Sequence, residues 1–200
     1  MSNVIWKLRE EHRKLARLMD LIAREVKAFD QGQSPDYYLV ESVLEYVLNY
    51  PDLCHHPKEN LVLAKLRERD PKAAESVGDL EREHEKLGAL TRRFAAAVQN
   101  VLQDAQLPRD WFTGVASDYL AFQRRHMQME EVVFFPPALR ALTKEDWEEI
   151  EDDLSTPYDP LFDEGKLEEK YERIHHEIMK WGELFDDDKL NPAKQSAGAA

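Results

Sequence analysis

Two stretches of the chain carry the same chemistry at the same spacing. Around His12 the sequence reads Glu11-His12-Arg13-Lys14-Leu15, and around His84 it reads Glu83-His84-Glu85-Lys86-Leu87. Forty-three residues after His12 comes His55-x-x-x-Glu59, and 42 residues after His84 comes His126-x-x-x-Glu130. Each half of the repeat thus offers His, His and Glu in one order. A helical bundle with ligands projecting inward from facing helices has this demand, so the repeat predicts a two-fold, dinuclear metal site.

Hydrophobic periodicity places the four segments on helices. Val4, Ile5, Leu8, Leu15, Leu18, Ile22, Val26 and Phe29 follow a helical period across residues 3–29, and His12 fills the empty slot of that stripe. A second helix is expected from about Asp36, with Pro51 and Pro57 forcing a kink or bulge beside His55 and His56. A third is expected over residues 72–103, with His84 in its apolar stripe. A fourth carries Trp111, Val115, Tyr119, Phe122, His126 and Met129 and meets Pro136-Pro137. Short connections make sequential helices antiparallel neighbours. Counting residues from each turn at about 1.5 Å rise then brings the four histidines to within about 2 to 6 Å of one level. Glu59 and Glu130 lie one turn along the same faces as His55 and His126.

The expected architecture is all-α: an up-down-up-down four-helix bundle over residues 1–142 and a C-terminal helical extension, residues 143–185, packed on it. Residues 186–200 are polar and Ala-rich, and disorder is expected there. The extension offers a surface for a protein partner, and the chain is expected to be a monomer or homodimer. A formal charge of -13 argues against nucleic acid and anionic membranes as partners, and no apolar run approaches bilayer length. A lone cysteine, Cys54, excludes an internal disulfide, so a cytoplasmic location is expected.

Imidazoles and carboxylates without thiolates suit iron, manganese or zinc. Two ions use the set better than one, because a bridging carboxylate employs both of its oxygens. One or two coordination places then stay open for a small ligand.

Tyr50-Pro51-Asp52-Leu53-Cys54-His55-His56-Pro57-Lys58-Glu59 and Arg125-His126-Met127-Gln128-Met129-Glu130-Glu131, with Glu83-His84, resemble the hemerythrin-like, or HHE cation-binding, domains over residues 4–142. The resemblance implies a four-helix bundle around a non-haem di-iron centre, oxo- or hydroxo-bridged. Its ligands would be His12, His55, Glu59, His84, His126 and Glu130. Oxygen-carrying hemerythrins have His-x-x-x-His in the third helix, whereas Leu80 and Gly88 flank His84 here at those offsets. His56 either replaces the missing histidine or stands behind the ligands. The expected function is binding or sensing of a small ligand (oxygen, nitric oxide or peroxide) or of iron, rather than enzymatic turnover. Two alternatives are a di-iron enzyme acting on peroxide or nitric oxide, and a helical interaction module with a structural metal.

Overall fold

The computed structural model describes residues 3–154, 159, 161 and 168–184, and among these it contains helices and no strand. The first compact unit spans Met1–Asp159. Its long helices are α1 (Asn3–Asp30), α2 (Tyr37–Tyr50), α5 (Leu80–Leu102) and α6 (Arg109–Met129). Helix α1 packs on α2 and α6, and α5 packs on the same two, so the four close around one interior. The α1 stripe is buried as its periodicity demands, from Val4 through Ile22 to Val26.

Two helices do not stop where their regular pattern stops. After α2 the chain widens into a π turn, Pro51–His55, and continues as α3 (His56–Arg69). After α6 it widens again, Glu130–Phe134, and continues as α7 (Phe135–Ala141). The His56 N–H bonds to the Pro51 carbonyl and the Phe135 N–H to the Glu130 carbonyl, each reaching back five residues rather than four. Proline explains both. Pro57 and Pro136 cannot donate to the carbonyls of Leu53 and Val132, and their rings crowd those carbonyls. At the second position of a fresh helix the missing donor costs nothing. The expected bulge beside His55 is therefore present, whereas Pro136-Pro137 redirects the fourth helix instead of ending it.

The single helix expected over residues 72–103 is two. Helix α4 (Pro71–Val77) ends at Gly78, whose φ of +81° suits glycine. Asp79 then caps α5 by accepting the Arg82 N–H at 3.1 Å. Gly78-Asp79 is a stop and a start side by side, and periodicity ran across it.

Helix α8 (Lys144–Asp153) is closed by a reciprocal Thr143–Asp146 capping box. It puts Ile150 into an apolar cluster with Val4, Ile5, Leu66, Phe134 and Ala138 at one end of the interior. Arg69 clamps Asp146 with two 2.8 Å hydrogen bonds. The second unit, described by itself, holds a short 3-10 turn (Glu169–Tyr171) and α9 (Glu172–Leu184), with Tyr171, Ile174 and Ile178 buried. The disorder expected for residues 186–200 lies outside the described residues. No described helix is long and apolar enough to cross a membrane.

Candidate metal centre

The six residues of the repeat, and His56 beside them, meet in the interior of the first unit. His12 comes from the middle of α1, His55 closes the first π turn, and His56 and Glu59 open α3. His84 lies in the second turn of α5, His126 in the last turn of α6, and Glu130 opens the second π turn. Glu59 and Glu130 are fully buried, and the five imidazoles are buried or nearly so. A π turn spreads more residues over each turn, so the consecutive His55 and His56 both face inward.

The donors form two groups. His12, His55, Glu59 and Glu130 make one, and His56, His84 and His126 make the other; within each group the ligand atoms lie within 4.8 Å of one another. In the first, His12 Nε2 stands 3.2 Å from His55 Nε2. In the second, the rings of His56 and His84 stack at 3.6 Å between centroids. The carboxylates lie between the groups. Glu59 turns Oε1 to His55 at 3.1 Å and Oε2 to His84 at 3.2 Å. Glu130 turns Oε2 to His12 at 3.1 Å and Oε1 to His126 at 3.0 Å.

These approaches are close without being hydrogen bonds. All four carboxylate oxygens of Glu59 and Glu130, with His84 Nε2 and His126 Nε2, are buried and have no hydrogen-bond partner. An unsatisfied buried polar group costs about 1 to 3 kcal/mol, and more when charged. Six such atoms converging on one interior spot fit cations held between them. The donor chemistry, imidazole and carboxylate without thiolate, matches iron, manganese or zinc.

Behind these candidate donors lies a second layer that spacing alone does not single out. Glu11 accepts from His55 Nδ1 at 2.8 Å, Glu83 from His126 Nδ1 at 3.0 Å and Glu131 from His12 Nδ1 at 2.9 Å. Each carboxylate also faces a cation: Glu11 takes Lys58 Nζ at 2.7 Å, Glu131 takes Arg9 Nε at 2.9 Å, and Arg125 lies 3.6 Å from Glu83. Such partners fix the ring and tautomer of a metal-binding histidine. A signal for them was present, since the repeat begins Glu-His in both halves. Each of those glutamates serves the histidine of the other helix in its half, Glu11 for His55 and Glu83 for His126. The pattern breaks on the remaining pair, where Glu131 follows Glu130 and Asn60 follows Glu59.

Charge balance without a cation falls to protons. Burial acts to lower the His55 pKa, but the Glu59 charge and the Glu11 hydrogen bond outweigh it and raise the value to about 10. Burial likewise opposes the Glu130 and Glu59 contacts that raise His84 to about 9. The carboxyl groups move the other way: burial would raise Glu130, but His12, His126 and His84 hold it well below its ordinary range.

A small cavity adjoins the centre. It touches His55, His56, His84, His126 and Glu130, and the rest of its wall combines Thr91, Arg92 and Gln123 with apolar groups such as Leu15, Val47, Leu87 and Met127. About 30 Å³ of it is open to water-sized molecules. One water needs about 10 to 15 Å³ on this measure, so the cavity holds a ligand of two or three heavy atoms.

The family model for the hemerythrin HHE cation binding domain matches residues 3–138. No curated protein and no solved structure matches the chain.

Proposed function

The chain belongs to the hemerythrin HHE cation-binding family, and from that premise we propose that it is a non-haem di-iron protein that binds or senses a small ligand. One observation carries the reading: Glu59 and Glu130 each direct one oxygen to each of the two histidine groups, as two carboxylates bridging two ions would. The helices α1, α2 with α3, α5, and α6 with α7 are the four rods of an up-down-up-down bundle in this reading. His12 and His55 would hold one iron, and His56, His84 and His126 the other. His56 thereby takes the place of the histidine that the third helix lacks.

An iron held by His12 and His55 would have two imidazoles and one held by His56, His84 and His126 would have three, so the two would not be equivalent. Bound iron would supply a Lewis-acidic, redox-active position for oxygen, nitric oxide or peroxide. The chain's own part is to orient the imidazoles through Glu11, Glu83 and Glu131, to hold the bridging carboxylates ionised, and to exclude larger molecules. A cavity of about 30 Å³ has no room for an organic substrate, which favours ligand binding over hydroxylation. A reducing cytoplasm suits a chain with one cysteine.

Metal analysis joined to an optical spectrum tests this directly. Protein from iron-replete cells should carry about two irons per chain with an oxo-bridge charge-transfer band, lost in Glu59→Ala. One zinc per chain, or no bound metal, would refute the assignment.

A further inference from the structure

Two buried tyrosines of the first unit differ in where their hydroxyls can send a proton. Tyr119 on α6 is fully buried, and its Oη has no hydrogen-bond partner. Tyr46 on α2 is 5% exposed, and its Oη donates to the Asp159 carboxylate at 2.9 Å. Asp159 closes the first unit and is only half-buried, so a proton passed to it can go on to solvent. The difference matters for redox chemistry. A phenol that loses an electron becomes a strong acid, so oxidation is accessible where a base already holds the hydroxyl and costly where the charge would stay buried.

Tyr46 also adjoins the metal centre. With Glu11, Cys54 and His55 it lines a second small cavity, of which about 20 Å³ is open to water-sized molecules. A space that admits about one water makes near neighbours of the groups around it. Glu11 accepts from His55 Nδ1 at 2.8 Å, which joins this cavity to the His12 and His55 group. Tyr46 stacks on Tyr50, one turn along α2, with ring centroids 5.3 Å apart and planes inclined by 20°. Tyr50 is half-buried and touches solvent. His55, Tyr46 and Tyr50 thus make a contiguous set from the buried donors to the surface.

We propose that Tyr46 is a redox relay, passing single electrons from the surface at Tyr50 to the oxidised centre and its own proton to Asp159. The oxidant is hydrogen peroxide and the reductant a small organic one-electron donor such as ascorbate. Each peroxide takes two electrons and two protons to become two waters. Tyr46 supplies each electron in turn: its O–H bond breaks, the electron goes to the centre by way of His55, the proton goes to Asp159, and a neutral phenoxyl is left. An electron from the donor, arriving through Tyr50, and the proton returning from Asp159 restore the phenol before the second electron is needed. The two protons that form water come from solvent. The proposal rests on the di-iron reading and adds an electron path to it.

Iron-loaded full chain, mixed with hydrogen peroxide and rapidly frozen, is read by electron paramagnetic resonance, with the iron content of each sample measured. Wild-type protein should show an organic radical whose splitting changes when its tyrosines are ring-deuterated, and ascorbate should quench it. The signal should be lost in Tyr46→Phe, which keeps a ring to stack on Tyr50, and weakened in Asp159→Asn, which removes the base. Tyr119→Phe should retain it. If the signal survived in Tyr46→Phe, or vanished equally in Tyr119→Phe, the relay would be overturned while the di-iron reading stood. The same holds if peroxide changed the iron spectrum and no organic radical formed. If the wild-type chain bound no pair of irons, the di-iron reading would fall and the inference with it.

Discussion

Glu11 and His55 face each other from different helices at 2.8 Å, and the other oxygen of Glu11 holds the ammonium of Lys58, which is 1% exposed. Lys58 also donates to the Cys54 carbonyl, inside the π turn that His55 closes. The lysine thus ties α1, the π turn and the imidazole together, from a position next to Glu59. Lys58→Met keeps the buried stem and removes the charge, leaving Glu11 without its cation. Loss of an outer partner typically costs about 10-fold to 100-fold in metal affinity. Competition with a chelator should show a loss in that range for both Lys58→Met and Glu11→Gln, with helical circular dichroism retained. Wild-type affinity in both variants would show that the chain Lys58–Glu11–His55 does not orient the ligand.

Metal uptake should release protons. His55 and His84, raised to about 10 and about 9 by the buried carboxylates, carry protons at neutral pH in the metal-free protein. A metal ion must displace them, so apparent affinity climbs as pH rises toward those values. Calorimetric titration in two buffers of different ionisation enthalpy reports the released protons. Equal heats in both buffers would contradict it.

The same shifts make the metal-free fold sensitive to base. A histidine whose folded pKa lies above its unfolded value of 6.5 contributes stability that is fully present below pH 6.5 and lost as pH rises through about 9 to 10. Metal-free protein should therefore lose melting temperature between about pH 7 and 10, and metal-loaded protein should lose less. Parallel curves for the two forms would exclude the imidazoles as the cause.

At the other end of the interior the sign reverses. The Arg69 hydrogen bonds, with the Thr143 cap, hold the Asp146 carboxyl well below its ordinary range. A lowered carboxyl contributes stability above its unfolded value and loses it as pH falls through the folded one. Below about pH 4 the melting temperature of wild-type protein should fall more steeply than that of Asp146→Asn. Identical acid limbs would remove this clamp from the account.

Asp79→Ala leaves the Arg82 N–H without its 3.1 Å acceptor at the start of the helix that carries His84. Loss of an N-cap costs about 1 kcal/mol. Denaturant unfolding should show that loss at an unchanged m-value, and no change would mean that α5 is held by packing alone.

What could be read from the chain before its structure followed from period and spacing. His12, His84 and His126 filled gaps in apolar stripes, and counting residues from each turn placed them on one level, where they lie. The break at Gly78-Asp79 was hidden because the apolar period continues through it, from Val77 to Leu80. The second π turn was hidden because Pro136-Pro137 reads as a stop, and only packing of Phe134 and Phe135 into the apolar cluster shows why the helix goes on. The partners Glu11, Glu83 and Glu131 lie beside His12, His84 and Glu130 in sequence but serve histidines on other helices. No one-dimensional pattern assigns such a contact before the helices are placed.

The two π turns set the phase of the helices that hold the centre. Upstream of the first, Val43, Leu44 and Val47 of α2 point into the interior; downstream, Val62, Leu63 and Leu66 of α3 do so too, one residue out of step with a continuous α-helix. His55, His56 and Glu59 lie at this boundary, where the two helical frames meet. Deleting one residue from 51–55 would make the helix regular, and it would then have to turn either its upper or its lower half by about 100°. Metal ligation and the packing at both ends are therefore written into a single register, and drift by one residue cannot alter one of them alone.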